Sequence, residues 1–213
     1  MTAQVAGVEI PDSDMARCAV ALVAQEMPDV LLGHAFRVFL FASLIGRYRT
    51  VDYPKELLFV AATFHHHGLA RRFGDSNRRF ELDSADAACE FLMSHGISGV
   101  ELRNVWHAIV LHSTFGLDEI DSPLVSLLRA GVETDLMALH FDEISDNDRA
   151  AVVRAYPRES AFKVLVINAL ADGMLWRPES TFGNVNADVL ERCNPDFHRV
   201  NFCGLILGSQ WED

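Results

Sequence analysis

Phe59-Val60-Ala61-Ala62-Thr63-Phe64-His65-His66-His67-Gly68-Leu69 passes from an apolar helical pattern, through three consecutive histidines, into a glycine turn. Leu58, Ala61, Ala62 and His65 share one side of the helix that this stretch closes. At least one imidazole therefore points where its neighbours require a core. A histidine cluster at a helix end can be surface ornament. Here other polar residues sit on apolar helix faces before and after it, and together they have the make-up of a ligand set for a metal.

Upstream, Ser13 is placed to cap a first helix that carries Ala19, Val20, Leu22 and Val23 and ends before Pro28. A second helix is predicted over Val30 to Arg47, with His34, Val38, Phe41 and Ile45 on one face. Asp52 and Pro54 form a start signal for the helix leading to the histidines, and Gly68 is its expected end. Downstream, Arg71 to Glu81 reads as a loop with arginines at 71, 72, 78 and 79. Asp83 or Ser84 caps a helix to about His95. Glu101 to His112 follows, with Val105, Ala108, Ile109 and His112 aligned.

Ser113 to Asp121 is a loop, and Ser122-Pro123 opens a helix with Leu124, Leu128, Gly131 and Asp135 on one face. Ser145 and Asp148 resemble a capping box for a short helix to Tyr156, stopped by Pro157. Glu159 to Trp176 is expected as one long helix with Leu165, Ala169, Asp172 and Trp176 aligned, ending at Pro178. Beyond it, loops and short turns are expected. No convincing β alternation or internal repeat occurs, so the fold class is all-α.

The chain has 213 residues, half of them apolar, which suits one domain over 1–213 with a sizeable core. With 18 basic and 30 acidic residues its net charge is -12. That balance argues against nucleic acid or an anionic membrane surface as a partner. A small phosphorylated substrate stays open, because a metal can reverse the local sign. Cys18, Cys89, Cys193 and Cys203 form no close pairs of structural-zinc type, and three or four of them are expected as buried or part-buried thiols in a reducing compartment. No signal peptide and no apolar run of membrane-spanning length are read, so the expected location is the cytoplasm.

His34, His65, His112 and Asp135 lie on different predicted helices, each on an apolar face, as a metal in a helical bundle requires. A lone histidine in such a place is usually a hydrogen-bonded core residue. Asp135 is harder to explain that way, since an ionised carboxylate is costly to bury without a cation or donors. Asp172 meets the same test.

The chain resembles the HD-domain superfamily, and within it the cyanamide hydratase-like branch. The resemblance is carried by His34, residues 61–69, Phe80-Glu81-Leu82-Asp83-Ser84-Ala85, Val105-Trp106-His107-Ala108-Ile109-Val110-Leu111-His112, Gly131-Val132-Glu133-Thr134-Asp135 and Tyr156-Pro157-Arg158. It implies a helical bundle with a metal-binding core over 30–165, and activity as a phosphohydrolase, hydratase or related lyase. It places metal ligands at His34, His65 and Asp135. The aspartate of the HD pair falls on His66, a departure: either imidazole ligates in its place, lowers the negative charge of the site and favours zinc or iron over magnesium, or His66 points away and the site is weakened or lost. His67 and His107 also stand where other residues are usual, and with His112 they are the candidate catalytic histidines; a surface role for His67 and His107 is the alternative.

The resemblance implies that a divalent ion activates water for addition to a small electrophile such as a nitrile, with His112 moving the proton. Phe36, Phe64, Trp106 and Phe115 are expected around a small, largely uncharged substrate. A phosphohydrolase would instead use the arginines at 71, 72, 78 and 79. A third reading is a non-catalytic binding module. A homo-oligomer is left open.

Overall fold

Ser13 caps α1 (Asp14–Ala24), its Oγ accepting the Ala16 amide at 3.1 Å, as the sequence predicts. A computed structural model describes residues 3–116 and 122–210, and over these the protein is an all-α helical bundle. The predicted loop from Ser113 to Asp121 is described as far as Gly116; residues 117–121 lie outside the described range. A two-stranded antiparallel ribbon, Gln4–Val5 with Val8–Glu9, precedes α1.

The central element is α2 (Asp29–Tyr48), one residue longer at each end than the pattern predicts. Leu31, His34, Ala35, Arg37 to Ile45 and Gly46 are all buried, so neighbours cover it nearly all round. Against the sequence expectation, this helix is long and apolar enough to cross a membrane by length and composition; in the bundle most of it is inside. It packs against α3 (Lys55–Phe64), α6 (Pro123–Met137), α7 (Asp146–Ala155) and α8 (Phe162–Asp172). A Cβ on Gly131 would lie 2.4 Å from the Val38 carbonyl oxygen, so only glycine permits the close crossing of α6 on α2. One turn further along that crossing, Asp135 meets His34.

The start of α3 differs from expectation. Pro54 is the residue before the helix and Asp52 makes no capping bond. Its end differs too: Phe64 is the last helical residue, His65 closes the helix, and a 3-10 turn over His67–Leu69 follows. Gly68 is not there for freedom of φ. A Cβ on it would lie 2.1 Å from the Phe80 carbonyl oxygen, because α4 (Phe80–Ser94) begins against this turn. Asp83 and Ser84 sit inside α4 and do not cap it; the residue before the helix is Arg79.

α5 (Gly99–Leu111) ends with His112 as its closing residue. In α6 the proline start is as predicted, although Ser122 makes no side-chain cap bond. In α7 the Ser145 Oγ accepts the Asp148 amide at 3.1 Å. α8 is shorter than predicted, since Ala161 takes a left-handed φ of 67° and the helix starts only at Phe162. The stripe of Leu165, Asp172 and Trp176 faces outward; Asp172 is exposed, so it needs no buried partner. The tail forms two further helices, α9 (Asn186–Cys193) and α10 (Phe202–Leu207), where loops were expected. Cys18 and Cys203 are exposed rather than buried, and all four thiols are free.

Candidate metal centre

The exit of α3 brings two adjacent imidazoles together. Along a continuing helix His65 and His66 would point about 100° apart. With the helix stopped at Phe64 and His66 at φ -107°, ψ 1°, their ring centroids are 4.0 Å apart. His34, from the middle of α2, lies 5.2 Å from His65 and 5.3 Å from His66 by ring centroid. One nitrogen of each of these three falls within 4.8 Å of the others, so the triad can chelate a metal ion. His112, at the end of α5, adds a fourth ring 4.9 Å from His65 and 5.3 Å from His66.

The hydrogen bonds say which nitrogen faces inward. His34 Nδ1–H donates to Asp135 Oδ2 at 2.6 Å, His65 Nδ1–H to the Ala62 carbonyl at 2.6 Å, and His112 Nδ1–H to the Ile109 carbonyl at 2.6 Å. Each bond fixes the tautomer with the lone pair on Nε2. Those three Nε2 atoms, and Nδ1 of His66, are buried with no hydrogen-bond partner. Unsatisfied polar atoms are uncommon inside proteins, and four in one place require an explanation. A cation bound by the lone pairs of His34, His65 and His66 satisfies three of them and leaves the His112 Nε2 free, and the donor set fits a nitrogen-accepting transition ion better than magnesium.

Charge follows the same logic. Burial first, then the neighbouring His112 and His34, pushes the His65 imidazole well below its usual pKa; burial and the rings of His65, His112 and His34 do the same to His66. Burial also lowers His112, opposed by the carboxylate of Glu81. Neutral imidazole is the form that ligates.

Asp135, expected as a ligand, stands behind His34. Besides that histidine its oxygens accept from Arg37 Nε at 2.8 Å, Arg37 Nη2 at 3.0 Å and Arg158 Nη1 at 3.3 Å. Burial alone would raise its pKa; the bond and charge of His34, then Arg37, bring it down to about 2. It is a permanent anion that orients His34.

His67 and His107, expected as catalytic, are elsewhere. The 3-10 turn directs His67 away from the cluster, its Nε2 lying 2.9 Å from Glu26 and its ring against Phe64 and Phe73. His107 is exposed on α5 beside Trp106. It precedes His112 by five residues, about 500° of helix, and so faces away from it. The expected aromatic lining also changes. Phe36 stacks on Tyr156, Phe64 packs on Phe91, Trp106 donates to Asp86 and Phe115 is partly exposed. The rings beside the cluster are Phe80, 5.7 Å from His66 and 5.9 Å from His112, and Phe162, 6.5 Å from His34.

Sequence reasoning missed several residues. Arg37 lies one turn from His34 on an apolar helix and is 1% exposed, a signal that was present in the pattern. Glu81 is fully buried, accepting from Ser113 Oγ at 2.6 Å, Asn186 Nδ2 at 2.9 Å and Arg79 Nη2 at 3.2 Å. Burial would raise Glu81, but Arg79 and His112 hold its carboxyl below the ordinary range. No spacing rule connects Asn186 to it. Comparison with known proteins leaves the centre to its own geometry: no family model matches the chain, and no curated protein matches it.

Proposed function

We propose that the protein is a metal-dependent hydratase or hydrolase of HD type, acting on a small molecule such as a nitrile-like compound. The observation that carries this reading is the set of bare, buried imidazole nitrogens on His34, His65, His66 and His112. His34, His65 and His66 hold the ion, zinc or iron by donor preference, and His66 stands where the HD pattern has aspartate. Asp135 supports the ion through His34. A bound divalent ion supplies Lewis acidity that makes water nucleophilic near neutral pH.

The protein's own groups do the rest. Phe80 and Phe162 exclude bulk water from the rings they flank. His112, held by Ile109 and kept neutral by burial, offers Nε2 as the acceptor for the proton that the attacking water releases. As the new carbon–oxygen bond forms, that proton passes to the nitrile nitrogen, giving the imidic acid, whose remaining O–H proton then moves to nitrogen to leave the amide. A neutral substrate is favoured over a phosphate ester by three of the four arginines, since Arg72 is engaged by Glu26 at 3.2 Å, Arg78 by Asp86 at 2.8 Å and Arg79 by Glu81 at 3.2 Å, while Arg71 is exposed. We extend the reading to one domain over 1–213 in a cytoplasmic setting, its acidic balance suiting a small-molecule partner rather than nucleic acid or membrane.

The test is metal content of wild type, H66A and H66D purified without chelator. Wild type is expected to carry about one equivalent of zinc or iron. H66A should bind that ion more weakly, and H66D should keep an ion while shifting preference toward manganese or magnesium. Wild type holding less than about a tenth of an equivalent, and failing to reload, would favour a non-catalytic binding module instead.

A further inference from the structure

Three of the four rings are aimed by a hydrogen bond on the nitrogen that faces away from the cluster: His34 by Asp135, His65 by Ala62 and His112 by Ile109. His66 makes no such bond among the described residues. Its direction must come from the backbone that carries it, the 3-10 turn after α3, where the Leu69 amide donates to the His66 carbonyl at 3.0 Å.

That turn is gripped at one peptide on both sides. The Gly68 amide donates to Ser84 Oγ at 2.7 Å, and the Gly68 carbonyl accepts from Arg177 Nη2. Arg177 is 1% exposed and spends its other donors on a rigid surround: Nε on the Gly173 carbonyl at 3.1 Å, and Nη1 on Asp83 Oδ2 at 2.6 Å and the Arg78 carbonyl at 3.3 Å. A guanidinium is a planar fork that can hold several acceptors at once, which an ammonium cannot. Behind it the end of α8 leaves no slack, since a Cβ on Gly173 would lie 2.5 Å from the Leu69 side chain.

Building on the metal-centre reading, we infer that Arg177 is the positioning residue for His66, acting through the Gly68 carbonyl, while Asp83 holds Arg177 in place. Buried charge pairs are individually weak stabilisers, and removing one partner strands the other. This pair joins the turn, α4 and the end of α8 at the point that aims the one ring with no bond of its own. The arrangement makes the ligand set of the centre depend on a residue that touches none of the histidines.

The variant that isolates this role is R177K, which keeps a positive charge for Asp83 and loses the fork. Two measurements are made. In metal-free protein, the rate of histidine modification by diethyl pyrocarbonate is read residue by residue by mass spectrometry. R177K should raise the rate at His66 at least about fivefold while leaving His34, His65 and His112 within about twofold, because their own bonds persist. Zinc titration then compares R177K in the wild-type and H66A backgrounds. Affinity should fall about 10-fold or more in the first and by less than about twofold in the second. An unchanged rate at His66, or an equal rise at all four histidines, overturns the inference and leaves Arg177 a general structural residue. If wild type binds no zinc, the metal-centre reading fails, and the labelling result still decides whether Arg177 positions His66.

Discussion

Two histidine environments in this bundle differ in burial and in how many ring nitrogens are paired, and the difference separates a satisfied histidine from one able to ligate. His140, just past α6, has Nε2 2.8 Å from Glu133 and Nδ1 2.9 Å from Glu143. Both nitrogens therefore face carboxylates, and neither is left bare. Glu143 is shared with Arg49 at 2.6 Å, which ties this cluster to the end of α2. In the four-ring cluster, His34, His65 and His112 each use one nitrogen and leave the other bare. Half-satisfaction alone does not mark a ligand, since His67 pairs Nε2 with Glu26 and leaves Nδ1 bare; what sets the cluster apart is that its bare nitrogens converge.

The sharpest way to break that contrast is to remove a bare nitrogen. H34A or H65A should lower metal affinity by more than the roughly 10- to 100-fold that loss of an outer partner costs, as measured by titration with zinc. Full occupancy in either variant would remove it from the ligand set. D135N comes next. It should lower affinity within that 10- to 100-fold range and reduce stability by about 3 kcal/mol in urea, because Arg37 and Arg158 lose their buried anion. A stable D135N protein with unaltered affinity would deny Asp135 its place behind His34.

On the other side of the contrast, H140Q should cost about 1.5–3 kcal/mol in urea unfolding and leave metal content unchanged. Any loss of metal there would erase the distinction. A smaller effect is expected from pH. Arg49 first, opposed by burial and helped by His140, holds the Glu143 carboxyl below its usual pKa. A depressed carboxylate contributes stability above its unfolded pKa of about 4.3, and that contribution disappears as pH falls through the folded value. The stability gap between wild type and E143Q should therefore be constant just above that range and shrink on acidification below it; a gap that grows would contradict the sign. Smallest of all, H107A should change stability by less than about 0.5 kcal/mol and leave bound metal as it was.

Much of the bundle was legible because its signals are local. Ser13, Ser122-Pro123 and the Ser145–Asp148 pair mark helix starts within a few residues, and the 3.6-residue period placed His34, His65, His112 and Asp135 on buried faces. What failed was non-local or terminal. The period that aligned Leu165 with Trp176 could not say which side of α8 was covered, and that stripe faces outward. Helical geometry set His65 and His66 apart until the helix stopped at Phe64. The same stop turned His67 away toward Glu26. Asp135 was recognised as a buried charge, but only a neighbouring helix could reveal that Arg37 and Arg158 balance it. Arg177, one residue past the end expected for its helix, gave no signal at all.

The crossing at Gly131 has a consequence in time. His34 finds Asp135 across 101 positions of sequence. A ribosome adds about 5–20 residues per second, so His34 exists for roughly 5–20 seconds before its anion has even been synthesised. During that interval no carboxylate fixes which nitrogen carries the proton. The tautomer that leaves Nε2 bare is set only when α6 settles on α2, which makes the arrival of a glycine the event that finishes a histidine made long before it.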